Sequence, residues 1–242
     1  IPISKSGLEY LMSMKERRHF TLSLLFACSL AFLGGYMEVL SVKGFGVYCA
    51  MQTGNTILTF TSLIDGKYGA ALISATTLLS FILFSFLGEL WKVHHKSQRI
   101  HFSFLALGSM SCALVMAFGF SFLEEGSLRA YAVNIALAAY GATQVLAFES
   151  FNDRPFVSTM MTVLLKNFTL HLAKASKERT KDSYLSALEY LVVFISFVLG
   201  GILSYLLFRF ARLGISPLFL FGVIYILLIL IPLKRLELGR GF

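Results

Sequence analysis

Six long apolar runs constrain this 242-residue chain more than any other feature of the sequence. Each run is long enough for the about 20 residues that a helix needs to cross the hydrocarbon core of a bilayer. Only 14% of the residues are charged, against roughly 25% in a soluble domain. The sequence therefore predicts an all-α integral membrane protein with six transmembrane helices. The predicted spans are residues 20–42, 68–91, 102–123, 128–148, 184–208 and 215–233.

Two further stretches, residues 45–64 and 155–173, are long enough to cross but carry too many polar groups for a lipid-facing helix. If only the six apolar runs cross, 16 of the 21 Lys and Arg residues fall on one side. Basic residues accumulate on cytoplasmic loops, so this bias predicts that both termini are cytoplasmic. We therefore interpret both stretches as re-entrant elements, the first entering from outside and the second from the cytoplasm. Broken backbone at that depth requires protein or a water-filled cavity around it.

An internal repeat relates the two re-entrant stretches. "GGYMEVL" at 34–40 aligns with "YGATQVL" at 140–146, and this alignment matches Glu38 with Gln144 at an offset of 106 residues. "CAMQT" aligns with "TMMT" and matches Thr53 with Thr162 at an offset of 109, whereas "FILFSFLG" resembles "VFISFVLG" at an offset of 112. Offsets that drift slowly in one direction are typical of loop insertions between two copies of one unit.

The repeat divides the chain into two halves, residues 20–123 and 128–233, between a cytoplasmic N-terminal segment (1–19) and a cytoplasmic tail (234–242). A half with three full crossings reverses the direction of the chain, so the second half is expected to be inverted relative to the first. Inverted repeats place binding sites at mid-depth between the halves. The fold prediction is thus six transmembrane helices as two inverted three-helix repeats, each with a re-entrant or broken segment.

The combination of "GGYMEVLS", "MQTGNT" and "YGATQ" resembles the YoaK-like family of bacterial membrane proteins over about residues 20–235. The resemblance implies a six-span protein of the inner (cytoplasmic) membrane, of a family described as transporters without an established substrate. The family usually has Asp where Glu38 stands. It often repeats a Thr-Gly-Asn triplet in the second half, where this chain has Thr162-Val163-Leu164. This departure favours a more regular helix in the second re-entrant element.

Glu38 is the sharpest functional candidate, because an ionised carboxylate near the end of a span is costly unless it is paired or hydrated. We interpret it as a proton or cation site; the alternative is an interfacial Glu that pairs with Lys43 or faces outside water. Gln144 would donate hydrogen bonds to a substrate or to Glu38. Gly54 would allow the backbone to break beside the polar groups of Thr53 and Asn55. The alternative is close helix packing, which small and hydroxylated residues favour.

Residues of the second half complete the candidate site. Asn134 would line the cavity or form a helix contact. Lys166 would attract an anion, and His171 would titrate near neutral pH, unless this segment is an amphipathic helix facing the cytoplasm. The candidate substrate- or ion-binding residues are Glu38, Gln52, Thr53, Gly54, Asn55, Asn134, Gln144, Thr162, Lys166 and Asn167.

Several classes of function find no support in the sequence. There is no phosphate-binding loop, nucleophile elbow or zinc-protease motif, so we predict no enzyme activity and no cofactor. His94, His95 and His101 lie on a basic loop without nearby carboxylates or thiols, which argues against a metal site. The net charge of +8 reflects cytoplasmic loops, and nucleic-acid binding is not predicted.

The leading prediction is a secondary transporter of an unidentified small solute or ion, with Glu38 as the candidate for proton coupling. A channel of the same architecture is the near alternative. A membrane-embedded lipid-handling enzyme or accessory protein is the alternative from another class. Besides the solute and the lipid bilayer, a second copy of the chain is a conceivable partner, because six spans make a small bundle.

Overall fold

The computed structural model describes residues 23–94, 99–124, 126–148, 150–151, 154–156, 159, 161–210 and 216–238. The predicted N-terminal segment (1–19) and the last four residues of the predicted tail lie outside the described residues. Within these ranges the chain forms eight helices and one short antiparallel pair of strands. The elements are α1 (Leu24–Phe45), α2 (Gln52–Ile64), α3 (Tyr68–His94), α4 (Arg99–Phe120), α5 (Ser127–Ala147), β1 (Ser150–Phe151), β2 (Arg154–Pro155), α6 (Met161–Glu178), α7 (Lys181–Phe210) and α8 (Ser216–Leu238).

Each of the six predicted spans overlaps one helix among the described residues, and these helices are α1, α3, α4, α5, α7 and α8. Among the described residues, α1, α3, α5 and α7 are long and apolar enough to cross a membrane. In α4 and α8 the described apolar parts are shorter, Leu105–Phe120 and Ser216–Leu230. The helical, membrane-type character of the chain is therefore confirmed, whereas the number of spans stays a prediction.

The boundaries of the first two helices follow from local capping. The Ser23 hydroxyl accepts the Phe26 N–H (3.3 Å) and so caps the start of α1. Gly46 ends α1 with φ 72°, and its N–H bonds to the Val42 carbonyl; glycine adopts this left-handed conformation at little cost. A second left-handed glycine, Gly66, lies just after α2. α2 has 13 residues, hence a length of about 20 Å at 1.5 Å per residue, which is too short to cross a bilayer.

Helices from the two ends of the chain are interleaved. α1 packs most extensively on α7, and α3 packs on α5. α4 lies against α5, α8 lies against α1, and α4 and α8 also contact each other. The two short helices pack on their successors in the chain, α2 on α3 and α6 on α7. The first four helices therefore do not form a separate body, and most of the core lies between the two halves of the sequence.

Two glycines bring α1 and α7 into backbone contact. A Cβ added to Gly35 would lie 2.0 Å from the carbonyl oxygen of Phe197, and one added to Gly200 would lie 1.9 Å from that of Phe32. Small residues at such crossings let two helix backbones approach closely. The reciprocal contact fixes α7 against the middle of α1, and Gly35 lies one helical turn before Glu38.

The outer surface of the helical bundle is apolar. α3 is the most exposed of the candidate spans, with Leu79, Ile82, Leu83 and Phe86 all on the surface. α1 is the most buried of them, and its side chains form the centre of the core. An apolar exterior around a well-packed interior is expected where the surrounding solvent is lipid.

Candidate functional site

The tip loop, residues 46–51, joins α1 to α2 and is held by a carboxylate from α1. Glu38 is only 3% exposed. Its Oε1 accepts the backbone N–H groups of Ala50 (2.8 Å) and Met51 (2.9 Å), and its Oε2 accepts that of Cys49 (3.1 Å). Three successive N–H groups that point at one anion form a backbone nest. They also precede the N-terminus of α2, which is the positive end of its dipole, so the Glu38 carboxyl group lies beside that end.

Asn55 holds the same loop from the α2 side. Its side chain is fully buried, at 0% exposed. The Oδ1 atom accepts the Tyr48 N–H (2.8 Å), and Nδ2 donates to the Tyr48 carbonyl (2.7 Å) and to Gln52 Oε1 (2.9 Å). Gln52 in turn donates from Nε2 to the Cys49 carbonyl (3.2 Å). The Asn55 amide therefore bonds to both backbone groups of Tyr48, as a neighbouring β-strand would, and holds the tip loop against α2.

Two threonines in the middle of α2 bond to their own helix. The Thr56 hydroxyl donates to the Gln52 carbonyl (2.9 Å), and that of Thr59 donates to the Asn55 carbonyl (2.8 Å). Such bonds to the preceding turn let threonine lie in an apolar environment without an unsatisfied donor. Thr53 is exposed and makes no side-chain hydrogen bond within the described part of the chain.

The expectation that the backbone breaks at Gly54 is wrong. Gly54 lies inside α2, and its N–H bonds to the Met51 carbonyl (3.0 Å). The irregular segment precedes α2, where Gly46 has the left-handed conformation. A Cβ at Gly54 would lie 2.6 Å from Cδ2 of the Tyr48 ring. Gly54 therefore provides the space in which Tyr48 packs against α2.

The second half of the chain meets the tip loop at α5. A Cβ added to Gly141 would lie 2.3 Å from the Cys49 carbonyl oxygen and 3.0 Å from the Ala50 Cα. The neighbouring Tyr140 is fully buried, and its hydroxyl lies close enough to Glu38 to interact with it electrostatically. That hydroxyl has no hydrogen-bond partner among the described residues. Groups from both halves thus converge on the tip loop.

Comparison with protein families now adds an assignment. The sequence model of a family described as "Protein of unknown function (DUF1275)" matches residues 26–231, which is most of the chain. The chain belongs to the DUF1275 family. The resemblance to YoaK-like proteins is consistent with this family. No curated protein and no solved structure matches the chain.

This DUF1275 chain does not pair Glu38 with the nearest cation in its sequence. The Lys43 ammonium lies over the Tyr205 ring of α7, 5.5 Å from the ring centroid. Glu38 instead has backbone donors on both oxygens. Glu38 therefore neither pairs with Lys43 nor faces water in this structure.

Two amides of α5 are buried with unused hydrogen-bonding capacity. Gln144 donates from Nε2 to the Leu30 carbonyl of α1 (2.8 Å) rather than to Glu38. Its Oε1 has no partner in the described part of the chain, and the same holds for both polar atoms of the fully buried Asn134. A buried polar group without a partner is costly, so these positions require an explanation beyond packing.

The predicted site residues of α6 make no hydrogen bond to the tip loop within the described part of the chain. Thr162 and Lys166 are exposed, and Asn167 is half-buried. His171 stacks on the Tyr190 ring of α7, with ring centroids 5.4 Å apart. α6 is a regular helix of 18 residues, as the missing Thr-Gly-Asn triplet suggested. Its exposed charges match the alternative of an amphipathic helix better than a ligand-binding role.

Sequence reasoning missed Tyr140 and Tyr48. Tyr140 lies four residues before Gln144, so the two share one face of α5, and this spacing could have identified it. Tyr48 has no local signal, because its role depends on the fold of the tip loop. Within the described residues, no group of three or more His, Cys, Asp or Glu side chains could hold a metal ion.

Proposed function

We propose that the protein is a transporter of an unidentified small solute or ion in the cytoplasmic membrane. In this proposal six helices cross the membrane as two inverted halves, with both termini in the cytoplasm. If each helix of the first half (α1 to α4) is matched with its counterpart in the second half (α5 to α8), each of three packed pairs has a packed counterpart. The α1–α7 pair corresponds to α5–α3, the α2–α3 pair to α6–α7, and the α4–α5 pair to α8–α1. This pattern supports the inverted repeat and a shared site between the halves.

The observation that carries the proposal is the interrupted backbone between α1 and α2 at the contact between the halves. In inverted-repeat transporters, helices that stop inside the bilayer point their dipole ends at the transported species. Here the N–H groups of Cys49, Ala50 and Met51, which directly precede α2, bond to the two oxygens of Glu38, which would stand in the position of such a species. In this structure a carboxyl group of the protein itself therefore lies at the place where the transported species would bind.

Protonation of Glu38 would weaken this arrangement. A protonated carboxyl has one O–H donor and fewer sites that accept hydrogen bonds. The hydrogen bonds from the N–H groups of Cys49, Ala50 and Met51 would then be weaker, because their acceptor no longer carries a charge. The unpartnered groups of Tyr140, Asn134 and Gln144 lie on the facing helix α5 and would be available to a solute or to water. In this mechanism the proton releases the tip loop, and the solute takes over its hydrogen bonds.

Proteoliposomes loaded with the pH-sensitive dye pyranine test the proposal. We expect at least one member of a panel of small anions, cations, amino acids and sugars to drive proton movement through the wild-type protein. Glu38→Gln should abolish that movement, whereas Glu89→Gln, a change at an exposed position of α3, should preserve it. Undiminished coupling in Glu38→Gln would refute the role of Glu38. Solute flux without any proton movement would instead indicate the channel alternative.

A further inference from the structure

A second feature of the structure is an apolar cavity between α3, α4 and α5. It has a volume of about 270 Å³, whereas an apolar cavity of about 150 Å³ is large enough to bind benzene. Its walls are almost entirely hydrocarbon, and the hydroxyls of Ser109 and Thr143 at its edge already bond to the carbonyls of Ala106 and Ala139. The cavity therefore offers space for an apolar group and no free polar group to orient a hydrophilic one.

The cavity opens sideways through the apolar surface of the bundle. Leu87 and Leu105, which line it, are 49% and 52% exposed. Gly88 creates part of the space, since a Cβ there would lie 2.9 Å from Cδ1 of Leu146 on the opposite wall. A groove that opens through a membrane-facing surface is accessible to the acyl chains of the surrounding lipid.

The rim of the groove carries the side chains that a lipid headgroup requires. Trp91 lines the groove, and the next residue, Lys92, places its ammonium 3.5 Å from the carbonyl of Leu146, which is also a wall residue. Tryptophan and lysine at the end of a membrane helix typically lie at the level of the headgroups. Lys92 also contacts Glu89 at 3.6 Å, but both side chains are partly exposed, and such a pair is weak.

We propose that this groove binds one acyl chain of an anionic phospholipid whose phosphate lies beside Lys92. The apolar walls accept the chain, the lateral opening admits it from the bilayer, and Lys92 selects an anionic headgroup. Juxtamembrane lysines attract anionic lipids. This site is independent of the tip loop, because none of the residues lining the groove contributes to the hydrogen bonds of Glu38 or Asn55.

Trp91 is the only tryptophan of the chain, so its fluorescence reports directly on the groove. The experiment places the protein in phosphatidylcholine vesicles with increasing fractions of phospholipid brominated on its acyl chains. Bromine quenches tryptophan on contact. We expect brominated phosphatidylglycerol to quench Trp91 at about fivefold lower mole fraction than brominated phosphatidylcholine, as one lysine–headgroup attraction implies.

Three variants separate the parts of the site. Lys92→Gln should remove the preference for phosphatidylglycerol, whereas Lys67→Gln, an exposed lysine paired with Asp65, should retain it. Gly88→Leu should fill the groove and reduce quenching by both lipids. If that variant does not fold, Ser109→Phe serves the same purpose. Equal quenching by both lipids in the wild type, or a preference that survives filling of the groove, would overturn the proposal.

Discussion

Asn55→Asp exchanges a single nitrogen for oxygen and tests whether the tip loop is held as described. The Oδ1 atom can still accept the Tyr48 N–H. The two donor bonds from Nδ2, at 2.7 Å to the Tyr48 carbonyl and 2.9 Å to Gln52 Oε1, lose their hydrogens. Because Asn55 is fully buried, water has no direct access to replace them. We therefore expect the tip loop to open more often in the variant.

The expected loss can be bounded from these contacts. If the new carboxyl takes up a proton, it restores one of the two donors. One lost hydrogen bond of about 1 kcal/mol and one unsatisfied buried acceptor at about 1 kcal/mol then remain. If it stays ionised, the Tyr48 carbonyl and Gln52 Oε1 both face a negative charge, and the loss of stability of the tip loop rises to about 5 kcal/mol. Local opening should therefore increase by at least about thirtyfold, since 1.4 kcal/mol is a factor of ten.

Hydrogen–deuterium exchange of the tip-loop amides measures this opening directly. The matched control is Asn167→Asp on α6, a half-buried residue whose side chain makes no hydrogen bond within the described part of the chain. We expect the backbone amides of residues 48–51 to exchange faster in Asn55→Asp than in the wild type, and at the wild-type rate in the control. Unchanged protection of these amides in Asn55→Asp would falsify the description of the tip loop as a rigid, side-chain-held segment.

Two further predictions concern the contacts between the halves. Gly200→Ala places a Cβ 1.9 Å from the Phe32 carbonyl oxygen and should destabilise the protein by about 3 kcal/mol, seen as a lower unfolding temperature in detergent. Gly119→Ala, where a Cβ meets nothing within 4 Å, should not; equal effects would contradict the close crossing of α1 and α7. The Ser121 and Ser216 hydroxyls lie 2.7 Å apart between α4 and α8, so the double variant Ser121→Cys/Ser216→Cys should form a disulfide. Oxidation should then stop solute-driven proton movement, reversibly with a reductant and not in the single variants; full activity after oxidation would show that α4 and α8 need not separate there.

The helices of this chain were predictable because apolar length is a strong signal. A run of about 20 apolar residues has few alternatives to a helix in a membrane. The repeat also predicted a relation between the short helices. α2 begins at Gln52 and α6 at Met161, 109 residues apart, which is the offset that aligns Thr53 with Thr162. Both threonines are exposed at the second position of their helices, and neither joins the tip-loop network; the repeat itself stays a prediction.

The site was only partly predictable, because its hydrogen bonds depend on how the backbone turns after α1. Because burying a carboxylate costs free energy unless it is hydrogen-bonded or paired, the sequence correctly identified Glu38 as a residue that needs partners. Its partners are backbone N–H groups 11 to 13 residues later, and no residue type in the sequence encodes them. Gly54 was assigned the wrong role for a related reason: a glycine beside polar residues favours a break, but here its missing side chain accommodates the Tyr48 ring.

The residues around the tip loop could serve only to hold the loop in place, which we call a structural lock, or they could form a transport site. The two roles require different residues. A lock needs only Glu38, Asn55 and the backbone of residues 48–51, all of which satisfy one another. It does not need Tyr140, Asn134 and Gln144 Oε1, which are buried on α5 without partners in the described structure. Unsatisfied polar groups in a membrane interior are costly, and apolar residues of the same size would make a better lock. Under the proposed function, these groups on α5 would bind water or solute once the tip loop moves.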